Sequence, residues 1–142
     1  MKHILQLATE TLPKVAVSNI IVKGEVVHGF GRGSKLLGFP TANLNITESN
    51  ISFLTEGIYY GYSILYNIKY KAVMSIGLNP TFNTKEKTFE VYLIDYFGDD
   101  FYGEKIEVII VDYIRESIKC RDIEELKEWI KNDVKIATLK LK

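Results

Sequence analysis

The chain has 142 residues, 46% of them apolar and 25% charged, and its 18 basic side chains balance its 18 acidic ones. That length suffices for one domain with a substantial core, and the zero net charge excludes a global field that would gather nucleic acid or an anionic membrane. One cysteine, Cys120, excludes an internal disulfide and a cysteine-cluster zinc site; the two histidines, His3 and His28, stand in no metal-ligand spacing or triad.

In chain order, residues 1–18 form a short mixed run broken by Glu10 and Pro13, a poor signal peptide. No stretch reaches membrane-spanning length, so an intracellular, cytoplasmic protein is the expectation. Ile20 to Val27 is rich in β-branched residues and reads as a strand. It leads into a run ending at Asn43 that holds Gly29, Gly31, Gly33, Gly38 and Pro40, too broken for a packed strand or helix. Ile58 to Tyr66 alternates, with Ile58, Tyr60, Tyr62, Ile64 and Tyr66 on one face. A short turn at Asn67 to Lys69 joins it to a strand over Tyr70 to Gly77. Further strands span Thr88 to Tyr96 and Ile106 to Tyr113, with a turn at Gly98-Asp99-Asp100 between them. Strands that follow one another without intervening helices predict an antiparallel sheet or closed barrel rather than a βαβ fold. The period then changes. Ile123, Leu126, Ile130, Val134 and Ala137 recur at helical spacing and predict an amphipathic helix from Asp122 to Leu139. Trp129 lies beside its stripe, and Asp122 with Glu125 has the spacing of a capping box.

Three places carry candidate chemistry. The glycine run offers bare backbone amides with Arg32 and Lys35 nearby, a pattern that wraps phosphates, although a flexible surface loop reads the same way. At its end, Thr41 and Asn43 stand two residues apart, so in an extended segment both oxygens face one hard cation. The order Gly33-Ser34-Lys35 is not that of a P-loop, and Pro40 argues against a Rossmann turn. Glu90 shares a strand face with Tyr92; on the residues alone it reads as a solvated edge-strand glutamate before it reads as a general base. Arg115 either forks onto a carbonyl-bearing ligand or pairs with Glu116 or Asp122. The Tyr59-Tyr60-Gly61-Tyr62 cluster reads as core before it reads as a stacking platform.

Five ordered motifs resemble the riboflavin kinase family: His28 to Asn43, Gly57-Ile58-Tyr59-Tyr60-Gly61, Ser75-Ile76-Gly77-Leu78-Asn79-Pro80, Thr88-Phe89-Glu90, and Asp100-Phe101-Tyr102-Gly103-Glu104. The resemblance runs from Lys23 to the C-terminus. It implies a mainly β fold, a six-stranded antiparallel Greek-key barrel with a C-terminal α-helix. It also implies transfer of the ATP γ-phosphate to the 5′-hydroxyl of riboflavin, giving FMN and ADP. By the same resemblance, Gly29 and Lys35 belong to a loop covering the nucleotide, and Thr41 and Asn43 hold Mg-ATP through the metal and phosphates. Leu93, Asp95 and Phe101 fall on the adenine side, Glu90 is the general base, and Arg115 belongs to the loop over the flavin. The implied cofactor is Mg2+, with Zn2+ or Mn2+ as alternatives. The expected partners are riboflavin or FMN and ATP or ADP, with no nucleic acid, no membrane and a monomeric state.

The wording of the glycine loop is closest to single-function members. Residues 1–142 therefore read as one riboflavin kinase domain in which 1–19 is an extension without an assigned role, and FAD synthesis is expected to be absent. One departure from the family pattern lies after Arg115, where Cys120 stands in place of a phenylalanine. The rival expectations are a non-catalytic flavin- or nucleotide-binding barrel and a kinase for another small alcohol.

Overall fold

The computed structural model describes residues 19–27, 38–46, 54–78 and 87–142. Six strands appear among them: β1 (Ile20–Val27), β2 (Ala42–Asn45), β3 (Gly57–Leu65), β4 (Ile68–Leu78), β5 (Lys87–Leu93) and β6 (Lys105–Arg115). One helix, α1 (Ile123–Lys140), follows. The strands close into a barrel in the order β1-β2-β5-β4-β3-β6, and every pairing is antiparallel. β3, β4 and β5 pair in succession and β6 returns beside β3, which is the Greek-key connection. Closure leaves no unpaired sheet edge.

Alternation along each strand fills the interior. Val22, Met74, Phe89, Val91, Val108 and Ile110 are almost wholly buried and form one cluster. Ile58, Tyr60, Tyr62 and Ile64 do share a face of β3, but it is the outer one. Tyr59, Gly61, Ser63 and Leu65 point inward, and the Tyr59 hydroxyl donates to the Thr55 carbonyl at 2.5 Å. The Ser63 hydroxyl is buried inside the barrel and has no hydrogen-bond partner among the described residues.

Two turns differ from expectation. The β3–β4 turn is Tyr66-Asn67, not Asn67 to Lys69, because both residues adopt positive φ (51° and 64°), the geometry of a tight two-residue hairpin. β5 stops at Leu93 instead of running to Tyr96, because Asp95 turns the chain at a φ of 64°.

β6 carries two register shifts against β3. One passes over Val111 where Gly61 meets Ile110, and the other passes over Ile114, so that Ile58 stands opposite Arg115. A bulge re-aims the side chains beyond it. Here it brings Arg115, in place of Ile114, onto the face of Ile58.

The helix lies outside the barrel against β3 and β4. Ala137 and Leu141 pack with Tyr60 and Ile94 in a second apolar cluster. The Tyr62 hydroxyl clamps the chain end by bonding both the N–H and the carbonyl of Lys142 at 3.2 Å. At the other end, the Asp122 carboxylate accepts from the Glu125 N–H at 2.9 Å, as an N-cap should. The reciprocal half of the box differs: the Glu125 carboxylate accepts from the Arg121 N–H, one residue before the cap, and also takes the Arg121 side chain. Those bonds hold the Glu125 carboxyl below its usual range.

Candidate active site

The site grows from the pairing of β2 with β5. Asn43 stands directly opposite Glu90, and Ser75 of β4 stands opposite Glu90 on its other side. Directly opposed residues share a face, so the three lie together on the barrel's outer surface. Just before β2, the Thr41 hydroxyl donates to Glu90 Oε1 at 2.8 Å. Residues 49 positions apart in the chain are thereby joined by one hydrogen bond. Glu90 is half-buried and takes the Thr41 hydrogen bond, so it is not a freely solvated edge-strand glutamate.

Two cavities flank this contact, and Thr41 and Tyr92 belong to the walls of both. The first, of about 80 Å³, is lined by Pro40 and Thr41, by Leu93, and by the loop from Gly98 to Tyr102. Leu93 and Phe101 thus meet Thr41 in one cavity. Asp95 sits on the neighbouring turn and does not line it. Phe101 is braced edge-on by Tyr96 at 5.3 Å.

The second cavity, of about 180 Å³, is more apolar. Phe39, Ile58, Val73 and Met74 line it together with Leu126 and Ile130 of α1. Its polar groups are Thr41, Ser75, Glu90, Arg115 and Asp133. A mostly apolar pocket with a few convergent polar groups is the usual form of a small-molecule site. Tyr92, packed edge-on by Phe39 at 5.5 Å, divides the two spaces. Burial raises its phenol pKa, with a smaller push from the Asp95 carboxylate, so it stays neutral there. A wider groove of about 710 Å³ lies elsewhere, lined by Lys23, Glu25, Lys105 and Glu107. It holds none of the candidate residues, and its size alone assigns it no chemistry.

The ion-pair partner of Arg115 is neither the Glu116 nor the Asp122 carboxylate. Its Nε and Nη2 donate to the two oxygens of Asp133 at 2.8 and 2.7 Å, and Nη1 reaches the Glu116 backbone carbonyl at 3.1 Å. The Trp129 ring stacks 4.9 Å from the guanidinium carbon. The pair is largely buried, with side-chain exposures of 15% and 3%. Removing one partner of such a pair costs about 3–5 kcal/mol because the other charge is left bare.

Asp133 was missed from the sequence, although a signal was there. Leu126, Ile130, Asp133 and Ala137 follow one helix face, so the carboxylate sits in an apolar stripe and demands a partner. Gly29, Lys35 and His28 lie outside the described residues.

Thr41 and Asn43 supply neutral hard oxygens beside one carboxylate. That donor set fits a magnesium ion that already carries phosphates better than it fits zinc, which favours nitrogen and sulfur. Among the described residues no helix is long and apolar enough to cross a membrane.

A closed barrel whose two cavities adjoin at a hydroxyl-held carboxylate defines a class of small β-barrel with a divided ligand site. The family model described as Flavokinase: Riboflavin kinase matches residues 17–141. Over 122 residues the chain is 40% identical to the riboflavin kinase of Mus musculus, covering 84% of this chain and 79% of that protein. It is 47% identical over 120 residues to a bifunctional riboflavin kinase/FMN phosphatase of Arabidopsis thaliana, covering 82% of this chain but 31% of that longer protein. The crystal structure of riboflavin kinase from Trypanosoma brucei superposes with a TM-score of 0.65 at 28% identity, covering 85% of this chain and 76% of that one. The chain belongs to the riboflavin kinase family, whose members are ATP-dependent kinases that generally use a divalent metal.

Proposed function

We propose that the chain, as one domain, phosphorylates riboflavin at its 5′-hydroxyl with Glu90 as the general base. ATP occupies the cavity of Leu93 and Phe101, and riboflavin the more apolar one beneath α1. The observation that carries this reading is the Thr41–Glu90 contact at the wall the two cavities share.

The chemistry needs little else. The Glu90 carboxylate takes the proton of the 5′-hydroxyl as its oxygen bonds to the γ-phosphorus, and the bond from that phosphorus to ADP breaks. The Thr41 hydroxyl fixes the carboxylate's direction before substrates arrive, so less ordering remains to be done at the moment of reaction. Thr41 and Asn43 would hold the divalent cation. When bound, it neutralises charge on the phosphates. Gly29 and Lys35 are assigned to the covering loop over the nucleotide. Asp95, on the turn beside that cavity and not in its wall, is assigned to the adenine side by the family resemblance alone, and Arg115 to the flavin.

The test is direct. The protein is incubated with riboflavin, ATP and magnesium, and the products are separated by chromatography. FMN and ADP in equal amounts are expected; no FMN over a broad range of pH and metal would overturn the proposal.

A further inference from the structure

Asp133 is the one almost wholly buried carboxylate among the described residues, 2% exposed, and the reaction as proposed gives it no part. It lines the acceptor cavity together with Glu90 and Arg115. A guanidinium carries five N–H donors. Asp133 takes the Nε–Nη2 edge and the Glu116 carbonyl takes one hydrogen of Nη1. Among the described residues, that leaves one donor on each terminal nitrogen. Trp129 covers the guanidinium from the helix side. The group is therefore held in plane by Asp133 and in depth by the indole.

The pairing also sets the charge of the cavity. Arg115 and Asp133 cancel, so Glu90 alone carries net formal charge among the residues that line it. Without Asp133, Arg115 would be a bare cation sharing a cavity with the carboxylate of Glu90. A long, flexible side chain in that position has an obvious counter-ion to reach for.

We propose that Asp133 is a positioning residue for the acceptor: it locks the Arg115 guanidinium so that its two remaining donors meet the carbonyl-bearing ring of the flavin. The inference rests on reading this cavity as the flavin site. Asp133 touches no reacting atom and acts through Arg115, so its loss should weaken riboflavin binding far more than ATP binding.

The test is Asp133→Asn in the full chain, with riboflavin binding read from quenching of Trp129, the only tryptophan, alongside steady-state kinetics. The Kd and KM for riboflavin are expected to rise about tenfold or more, with KM for ATP within about twofold, and kcat is expected to fall as well as the freed Arg115 pairs with Glu90. A riboflavin KM within twofold of the parent would overturn the proposal. A second variant separates positioning from simple bracing. Exchanging the partners (Arg115→Asp with Asp133→Arg) restores an ion pair between β6 and α1. The melting temperature should then recover while riboflavin binding stays weak; recovery of both would reduce the pair to a strut. Should Asp133→Asn not fold, Asp133→Glu decides, since it keeps the charge and shifts the carboxylate by one methylene. A weakened riboflavin KM at unchanged ATP KM supports the proposal, and an unchanged riboflavin KM overturns it. Failure of the functional reading itself would show first, as absence of FMN from the unmodified protein.

Discussion

Replacing Thr41 with valine removes one oxygen and nearly preserves the side chain's shape. The lost hydroxyl donates to Glu90 Oε1 at 2.8 Å and lies in the wall between the two cavities. A hydrogen bond to a charged acceptor contributes about 1.5–3 kcal/mol, and the lower end applies to a half-buried pair. At about 1.36 kcal/mol per decade of rate, losing the orientation of the carboxylate alone slows turnover about tenfold. If the same oxygen also holds the metal, the loss grows toward about a hundredfold and the magnesium midpoint rises. Thr41→Ser returns the hydroxyl and should recover most of both. The assay is the rate of FMN formation across a magnesium titration, with melting temperatures measured alongside. A valine variant with turnover and magnesium midpoint both within twofold of the parent would refute the reasoning.

Three further outcomes follow from the barrel. A Cβ on Gly61 would stand 1.9 Å from the Ile109 backbone oxygen at the β6 bulge, so Gly61→Ala should destabilise by roughly 3 kcal/mol or more in urea unfolding; a shift below about half that would mean the bulge relaxes freely. Ser63→Ala deletes a buried hydroxyl without a partner among the described residues and should be neutral or stabilising by about 1 kcal/mol, whereas clear destabilisation would reveal a partner for it. Burial, aided by nearby Tyr113, pushes the Tyr59 phenol up to about 12 from 10.0, against the lowering bond to Thr55. The unfolded chain thus loses a proton near pH 10 that the folded chain keeps, so stability is intact below pH 10 and falls as pH rises toward 12. Tyr59→Phe should flatten that fall in urea midpoints followed across the same range, and parallel curves for variant and parent would contradict the assignment.

Much of this was legible in the chain because local patterns and the fold agree. The β-branched run at Ile20–Val27 is the first strand to the residue, and the three-and-four spacing after Ile123 is the helix. The motifs at Thr41, Asn43 and Glu90 stand out in the sequence one by one, and the β2–β5 pairing brings them together. What stayed hidden depended on distance in sequence. Nothing local says that Ala42–Asn45 is a strand, since four residues after a glycine run become one only through partners on β1 and β5. For Arg115 the sequence offers a ligand or the nearby Glu116 and Asp122, but a bulge in β6 gives it Ile58 across the sheet, and α1 gives it Asp133. The core reading of the tyrosine cluster holds for Tyr59 inside the barrel, but Tyr60 is buried on the outer face only because α1 covers it, which strand periodicity cannot foresee.

The measurement that bears most directly on the central claim is the rate of phosphoryl transfer in a single turnover, with Glu90→Gln compared against the parent. Glutamine keeps the side chain's shape and can still accept the Thr41 hydrogen bond, so the fold and the cavities should survive. If Glu90 takes the riboflavin proton, transfer falls by roughly two to four orders of magnitude while ATP binding changes little. A folded Glu90→Gln protein that makes FMN within a few-fold of the parent rate would contradict the account.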